Sequence, residues 1–463
     1  MSDSTVTVHR PGEGREGQRR APHLFLAFEC ARPTAQSARC SLEGVDEVVI
    51  GRGSERSAER SMQSGVCVLN VRVADPSMSH THARLTRGLG HWLVDDCGSK
   101  NGTLVNGAPV SRTRIDDGDL ITLGYTLFLF RAALPVHGEQ PDWVDAAARS
   151  RSPGMATLLP ELERELGRLA RIAPSTVTVM IRGETGTGKE ILARAIHGLS
   201  RRPGDFVAIN CGALTDTLIE SELFGHRKGA FSGATEDTTG LVRAAHGGTL
   251  LLDEIGDLPP TSQSAFLRVL QEKEVIAVGS TRPVPVDLRV VSATHRDLEE
   301  LVAQGRFRAD LLARVSGFRI DLPPLRERRE DLGLLIAHLL ERITGEPDAA
   351  GTTFTEAAAR ALFRHDWPHN VRELEKVLAA AVVLAAHQPI DLPHLGTALA
   401  ADQTTAKATP GEEDAALRAR LVELLTQHEG NISAVARAMG KARMQIHRWM
   451  RRFGIGPDEF RRL

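Results

Sequence analysis

The run Gly183-Glu184-Thr185-Gly186-Thr187-Gly188-Lys189 puts three glycines and a lysine at a spacing that suits phosphate binding. It follows an apolar, β-branched run (176–181) and precedes a helical pattern from Ile191 to Ile196. In that context the glycines let backbone N–H groups converge on phosphate oxygens, the helix N-terminus favours anions and Lys189 adds a point charge. The ligand implied is ATP. The next position, where a hydroxyl commonly helps to hold Mg2+, is Glu190, which a generic phosphate-loop argument counts as a defect. Further on, the apolar run Gly247–Leu252 ends in Asp253 and Glu254. Asp253 is placed to hold Mg2+ directly or through water, and Glu254 to orient and activate the attacking water, because phosphoryl transfer depends on positioning and charge stabilisation. Arg308 and Arg314, in the helix-prone segment Phe307–Arg314, read on spacing alone as surface charges.

Two other clusters carry chemistry. Gly51-Arg52-Gly53, Ser79-His80-Thr81-His82, Gly98-Ser99-Lys100-Asn101-Gly102 and Asn106-Gly107 occur in order within a β-prone region. A guanidinium and several donors on neighbouring loops suit a doubly charged phosphate. Near the C-terminus, Asn431–Gly440 and then Lys441–Phe453 read as helix, tight turn, helix. Ile446, Trp449, Met450 and Phe453 form one core stripe, while Met444, Arg448, Arg451 and Arg452 face away. From Arg437 to Arg452 there are six basic residues and no acidic ones, which suits entry into the major groove. In isolation such a helix reads more readily as a solvated basic face. Lys441 and Arg443 belong to this basic surface, and Arg443, Gln445 and Arg448 are the candidates for base contacts.

The elements that position these residues follow from the chain's texture. At 463 residues there is room for two to four domains, so the chain reads as multidomain. A net charge of −2 excludes wholesale coating of nucleic acid, leaving local basic patches to carry that signal. Val377–Ala386, the longest strongly apolar stretch, falls short of the ~20 residues that span a bilayer. The polar, arginine- and glycine-rich first residues lack the apolar core of a secretory signal. The five scattered cysteines show no metal-ligand spacing and read as reduced structural thiols of a cytoplasmic protein, with no membrane association expected.

Residues 1–22 read as a disordered tail, 23–133 as an all-β sandwich of short strands, and 134–155 as a linker. Strands alternate with helices over 156–345, as in a parallel α/β sheet, and 346–400 reads as a helical lid. Residues 401–412 form a second linker and 413–463 a small all-α domain.

Residues 156–395 resemble the AAA+ domain of sigma-54-dependent activators, the bacterial enhancer-binding proteins. In that family glutamate commonly follows the phosphate-loop lysine, so Glu190 supports the match. The segment Glu222–Ala234 resembles the family's GAFTGA loop; Gly229, Ala230, Phe231, Ser232, Gly233 and Ala234 would contact sigma-54, with glycines as hinges and Phe231 at the tip. The resemblance further implies that Asn210 restrains Glu254, that Thr294 and Arg372 are sensors, and that Arg308 and Arg314 are fingers acting on a neighbouring subunit's nucleotide. Ser232 in place of threonine, His295 in place of asparagine, His369 in place of glycine and Leu251 in place of an aromatic depart from the pattern.

The β region resembles a forkhead-associated (FHA) domain, a phosphothreonine reader. Arg52, Ser79 and Asn101 match its binding positions, Lys100 is an extra donor and His82 supports the loop from inside. His80 replaces the frequent Arg or Asn, a change expected to weaken phosphate binding. The last fifty residues resemble a Fis-type helix-turn-helix. Together these resemblances imply an ATP- and Mg2+-dependent activator that assembles from dimer to hexamer, binds DNA upstream of promoters and remodels sigma-54 RNA polymerase. A Ser/Thr kinase pathway or a phosphothreonine protein would set its activity in place of a receiver domain. Two rivals are a AAA+ remodeller with another target and a DNA-bound scaffold with a vestigial ATPase; open-complex formation with purified components separates all three.

Overall fold

The computed structural model describes residues 19–136, 141–145 and 154–396 except 214, 232, 347, 348 and 350, together with 399, 420–428, 432, 435 and 439. The chain divides into two compact units, Met1–Gly396 and Thr397–Leu463.

The first unit opens with a β-sandwich. Its larger sheet runs, in spatial order, through Val144–Asp145, Ala38–Ser41, Arg20–Glu29, Thr126–Pro135, Leu120–Leu123, Thr103–Val105 and Ala108–Val110. The facing sheet contains Arg112–Ile115, Trp92–Asp96, Ala83–Arg87, Glu47–Arg52, Val66–Val73 and Ser57–Gln63. Alternating residues such as Leu24, Leu26, Ile50, Leu69, Val71, Val94, Ile121 and Phe128 fill the space between them. Both outer boundaries expected for the sandwich need correction. The strand Arg20–Glu29 starts inside the presumed tail, and the presumed linker supplies Pro135 to one strand and the short strand Val144–Asp145, which pairs with Ala38 and Arg39. A two-residue strand has no period to read, and only its partner edge fixes it. The polar strand Ser57–Gln63 escaped the sequence reading for a related reason. It is an edge with no buried face, ordered by its ladder to Val66–Val73.

The ATPase-like core is a five-stranded parallel sheet in the order Phe206–Asn210, Thr249–Asp253, Arg289–Thr294, Val179–Arg182, Phe318–Asp321. Its strands bury both faces, as the unbroken apolar runs imply. Leu251, Val291, Ile181 and Ile320 meet Leu162, Leu166, Leu192 and Ile196 on one side. Leu250, Leu252 and Val290 meet Phe224, Phe266, Leu311 and Val315 on the other. The helices Leu332–Thr344, Glu356–Arg364 and Asn370–Ala385 follow the last strand, so the helical portion starts before residue 346.

The sandwich and this core are fastened together. Arg39 donates to the Leu158 carbonyl at 2.6 Å and pairs with Glu163 at 3.1 Å. Arg131 pairs with the fully buried Glu330. The Phe28 ring meets Phe354 edge-on at 5.3 Å. In the helix Leu332–Thr344 the first turn lies so close to the sandwich that a Cβ on Gly333 would sit 1.9 Å from the Ala27 carbonyl oxygen.

In the second unit, residues 420–427 are helical and Leu421, Leu424 and Leu425 pack with Val435. The presumed linker 401–412 and the basic helix candidates Lys441, Arg443, Met444, Gln445, Arg448, Arg451 and Arg452 lie outside the described residues. No described helix is long and apolar enough to cross a membrane.

The close approach at Gly333 gives a test. Alanine at an ordinary helix position stabilises by about 1 kcal/mol over glycine, but Gly333→Ala is expected to destabilise the full chain, because overpacking costs about 1–3 kcal/mol. Calorimetry should show a lower first transition; an unchanged or raised melting temperature would refute the packing described.

Candidate functional site

The carboxyl ends of the parallel strands converge on one crevice, where open α/β sheets bind ligands. The phosphate loop leaves the strand Val179–Arg182 and enters the helix Lys189–Ser200. Gly186 and Gly188 have φ of +82° and +102°, a region closed to most side chains, and this lets successive N–H groups face one point. Lys189, only 7% exposed, donates to the carbonyls of Gly183 and Glu184 at 2.9 and 3.3 Å and reaches Glu254 at 3.4 Å. The Thr187 hydroxyl donates to the Glu184 carbonyl at 2.8 Å. Glu190 lies on the exposed side of the first helical turn and pairs with Arg194 at 2.7 Å.

Asp253 ends its strand beside this loop. Burial and the Glu254 charge push its carboxyl up while Lys189 pulls it down. A single carboxylate next to a phosphate cradle fits Mg2+, which keeps most of its waters and takes one or two protein ligands plus phosphate oxygens. Burial also acts to raise Glu254, yet Lys189 and the hydrogen bonds from His295 outweigh it and hold the group below the ordinary carboxylate value. Glu254 is therefore ionised at neutral pH, as an acceptor of a proton from water must be. Thr294 abuts the loop, its carbonyl accepting from Gly183 N–H at 3.1 Å.

One expected role looks different in space. Asn210 lies at the end of the neighbouring strand, but its side chain accepts from Gly212 N–H at 2.9 Å, and no hydrogen bond joins it to Glu254. Glu254 is instead held by His295, whose Nδ1 lies 2.7 Å and whose N–H lies 3.2 Å from Oε2. The residue that departs from the family pattern thus does the holding. Arg308 caps the helix Ala309–Val315 and grips Asp310 with both arms at 3.0 and 2.8 Å, while Arg314 is exposed on the last turn of that helix. Both arginines are on the surface.

Residues outside the sequence reading complete the cradle. Asn370, fully buried at φ +55°, donates to Glu184 Oε2 at 3.1 Å and to the Thr185 carbonyl at 3.0 Å, and accepts from Leu325 N–H at 2.7 Å. Arg326 holds Glu184 through both oxygens at 2.9 and 2.6 Å, and Arg328 donates to the Thr187 carbonyl at 2.7 Å. Exposed Arg372 sits on the same turn as Asn370, its Cβ 3.2 Å from where a Cβ on Gly186 would lie. The side chains of Asn370 and the segment 326–328 do this from far along the chain, so only a charged run, Arg326–Asp331, signalled them in sequence.

The Gly229–Ala234 loop stands on a small hairpin, Gly225–His226 with Thr238–Thr239. Gly229 N–H bonds the Ala234 carbonyl at 2.9 Å, and Gly229 and Gly233 have φ of +82° and +113°. Ala230 lies against Gly279 of a second loop, and Phe231 is 41% exposed with its ring 5.0 Å from His226. Ser232 lies outside the described residues.

On the sandwich, Arg52, His80, Lys100 and Asn101 are exposed on neighbouring loops. Lys100 N–H donates to the Ser79 hydroxyl at 3.1 Å, and Asn101 donates to the Ser77 carbonyl at 2.7 Å. His82 is buried. Its Nδ1 accepts from Ser79 N–H at 3.1 Å, so Nε2 carries the proton and donates to the Gly102 carbonyl at 3.0 Å. Asp96, unmarked in the sequence reading, gathers Gly98 N–H, Ser99 and Thr103 around its carboxylate. Arg72 donates to the His80 carbonyl and joins this surface.

Asn370→Gly keeps the left-handed backbone and removes only the side chain. Loss of its bonds to the loop is expected to weaken nucleotide binding about tenfold, or roughly 1.4 kcal/mol, read by titration with a fluorescent ATP analogue; unchanged affinity would show that the loop needs no such support.

Comparison with known proteins follows the same division. The sigma-54 interaction domain model matches residues 156–321, the AAA+ ATPase lid domain model 326–412 and the FHA domain model 48–124. The Acetoin catabolism regulatory protein of Cupriavidus necator is 48% identical over 309 residues, covering 64% of this chain and 46% of that protein. The Nif-specific regulatory protein of Herbaspirillum seropedicae is 51% identical over 215 residues, 46% of this chain and 40% of that protein. The chain thus spans less than half of the length of these two relatives. Transcriptional regulatory protein GlrR of Escherichia coli is 40% identical over 320 residues, 69% of this chain and 70% of that protein. With a AAA+ domain of the sigma-54 interaction type, its lid, and an FHA domain before them, the chain belongs to the family of sigma-54-dependent transcriptional regulators.

Proposed function

We propose that the protein is a cytoplasmic transcription activator that hydrolyses ATP to remodel promoter-bound sigma-54 RNA polymerase, under the control of phosphothreonine recognition by its FHA domain. One observation carries the reading. The hairpin at Gly225–Thr239 exposes Phe231 on glycine hinges while its root packs on the core that holds Lys189, Asp253 and Glu254. A remodeller with another target has no need of this loop, and a vestigial ATPase has no need of an intact cradle.

In this mechanism the phosphate-loop N–H groups and Lys189 bind and orient the phosphates. Asp253 would hold Mg2+, which neutralises charge on the phosphate oxygens when bound. Glu254 leaves His295 and Lys189 to accept a proton from the attacking water. Arg308 exchanges its Asp310 partner for the phosphoryl group of a neighbouring protomer, and Arg314 acts beside it, in a ring assembled from dimers up to a hexamer. Rearrangement around Glu254 and Thr294 moves the Gly229–Ala234 loop against sigma-54. The C-terminal unit binds DNA through Lys441, Arg443, Met444, Gln445, Arg448, Arg451 and Arg452, placing the ring near its promoter.

In a reconstituted system with sigma-54 polymerase, ATP and promoter DNA, Phe231→Ala is expected to abolish open-complex formation while leaving ATP hydrolysis within about twofold, since a tip residue touches the target and not the phosphates. Promoter melting that survives this change would overturn the reading.

The FHA surface makes a separate prediction. Charge-assisted hydrogen bonds contribute about 1.5–3 kcal/mol each, so Arg52→Ala and Ser79→Ala should each weaken phosphothreonine-peptide binding at least tenfold in fluorescence anisotropy. Equal binding of phosphorylated and unphosphorylated peptides by the unaltered protein would refute phosphothreonine recognition.

A further inference from the structure

Beside the phosphate loop lies a cavity of about 490 Å³, a size suited to a nucleotide's base and sugar. Gly188 and Ile191 from the phosphate-loop helix form one wall and His338 and Arg342 from the helix Leu332–Thr344 form another. The remaining side includes Thr34 and Gln36, which belong to the β-sandwich. They lie on the turn between its strands Arg20–Glu29 and Ala38–Ser41.

This turn is pinned in place. Arg32 N–H bonds the Glu29 carbonyl at 3.1 Å, and Ala35 N–H bonds the Arg32 carbonyl at 2.9 Å. The buried Glu29 carboxylate accepts from Arg32 Nε at 2.9 Å and from Arg56 Nε at 2.7 Å, and Arg56 also donates to the Gln36 carbonyl. The Ser37 hydroxyl donates to Ala27 at 2.9 Å, directly under Gly333 of the lid-side helix. Next to the turn, the Cys30 carbonyl accepts from Phe354 N–H at 2.8 Å. Arg56 lies in the short connection that follows the strand Glu47–Arg52, four residues from Arg52, the guanidinium proposed to read phosphothreonine.

We propose that the turn Arg32–Gln36 is part of the nucleotide site, contributed in cis by the FHA domain, with Thr34 and Gln36 setting how long an adenine nucleotide is retained. The inference rests on the reading that the neighbouring loop binds ATP. A polar turn across an otherwise largely apolar cavity limits escape of the base and supplies hydrogen-bonding groups to its sugar or base edge. Because Arg56 joins this turn to the connection that follows Arg52, a phosphopeptide held at Arg52 that moves this connection would alter nucleotide exchange within one protomer, before any change in assembly.

The test uses the full-length protein and the fluorescent analogue mant-ADP, with stopped-flow release and equilibrium titration. Wild type should bind and Lys189→Ala should not; a wild type that fails to bind would sink the nucleotide reading and this inference together. On variants whose nucleotide-free melting temperature and phosphopeptide binding match the wild type, Thr34→Ala/Gln36→Ala is expected to release mant-ADP at least threefold faster. Gln36→Trp, which places a large ring at the cavity, is expected to weaken affinity at least tenfold. If wild type binds normally and both variants keep its release rate and affinity, the nucleotide reading stands and the FHA contribution to the pocket is overturned.

Discussion

Three charged side chains on the short stretch Leu325–Asp331 are withdrawn from water, and much of the first unit is organised around their need for partners. Arg328 is almost completely buried and donates to Thr187 in the phosphate loop. Glu330 is fully buried with Arg131 of the sandwich as its counter-charge, and burial still pushes its carboxyl up. Asp331 accepts from the Thr157 hydroxyl at 2.8 Å and from Leu158 N–H at 2.7 Å at the entry to the core domain. A buried ion left without its partner costs several kcal/mol, so these pairings hold three segments of distant sequence in one arrangement. Arg326, on the same stretch, fixes Glu184 from outside. Phosphate loop, lid and sandwich therefore share one anchor.

That anchor shapes the chemistry of the crevice. With the loop held by Asn370, Arg326 and Arg328, its N–H groups are oriented before any phosphate arrives, and preorganised dipoles stabilise charge at little reorganisation cost. Glu254 occupies a left-handed backbone position at φ +52° and is shared between Lys189 and His295. In the proposed cycle it would exchange these partners, so that a braced cradle stands beside a carboxylate whose contacts couple hydrolysis to motion. The two loops around Phe231 and Gly279 pack on one another and are held by backbone bonds from Arg227 to Val278 and from Val278 to Gly225.

The sandwich shows the same economy at the loops proposed to read phosphothreonine. They are held by groups that face inward, His82 between Ser79 and Gly102 and Asp96 around Gly98, Ser99 and Thr103. The outward residues Arg52, Lys100 and Asn101 are left at the surface by this framework. The sandwich meets the ATPase domain through Phe28 on Phe354 and Phe363, and through Arg39 on Leu158 and Glu163.

Local sequence by itself determined whatever depends on neighbours in the chain. Gly183–Lys189 must be a phosphate loop because strand, glycines and helix start are contiguous, and the Asp253–Glu254 pair must end a strand because three leucines, Leu250–Leu252, lead into it. Phe231 between two glycines reads as a tip for the same reason, and the four loop motifs of the sandwich are likewise legible locally. Tertiary structure decided what depends on long-range pairing. His295, not Asn210, holds Glu254; Asn370 and Arg328 brace the phosphate loop; Thr34 and Gln36 reach the cavity beside it. It also decided that residues 144–145 form a strand, because their only reason to be extended is the free edge at Ala38 and Arg39. Hydrogen bonds and buried ion pairs between residues a hundred or more positions apart leave no period or motif in the chain, since each partner is locally an ordinary polar residue until the fold removes it from water.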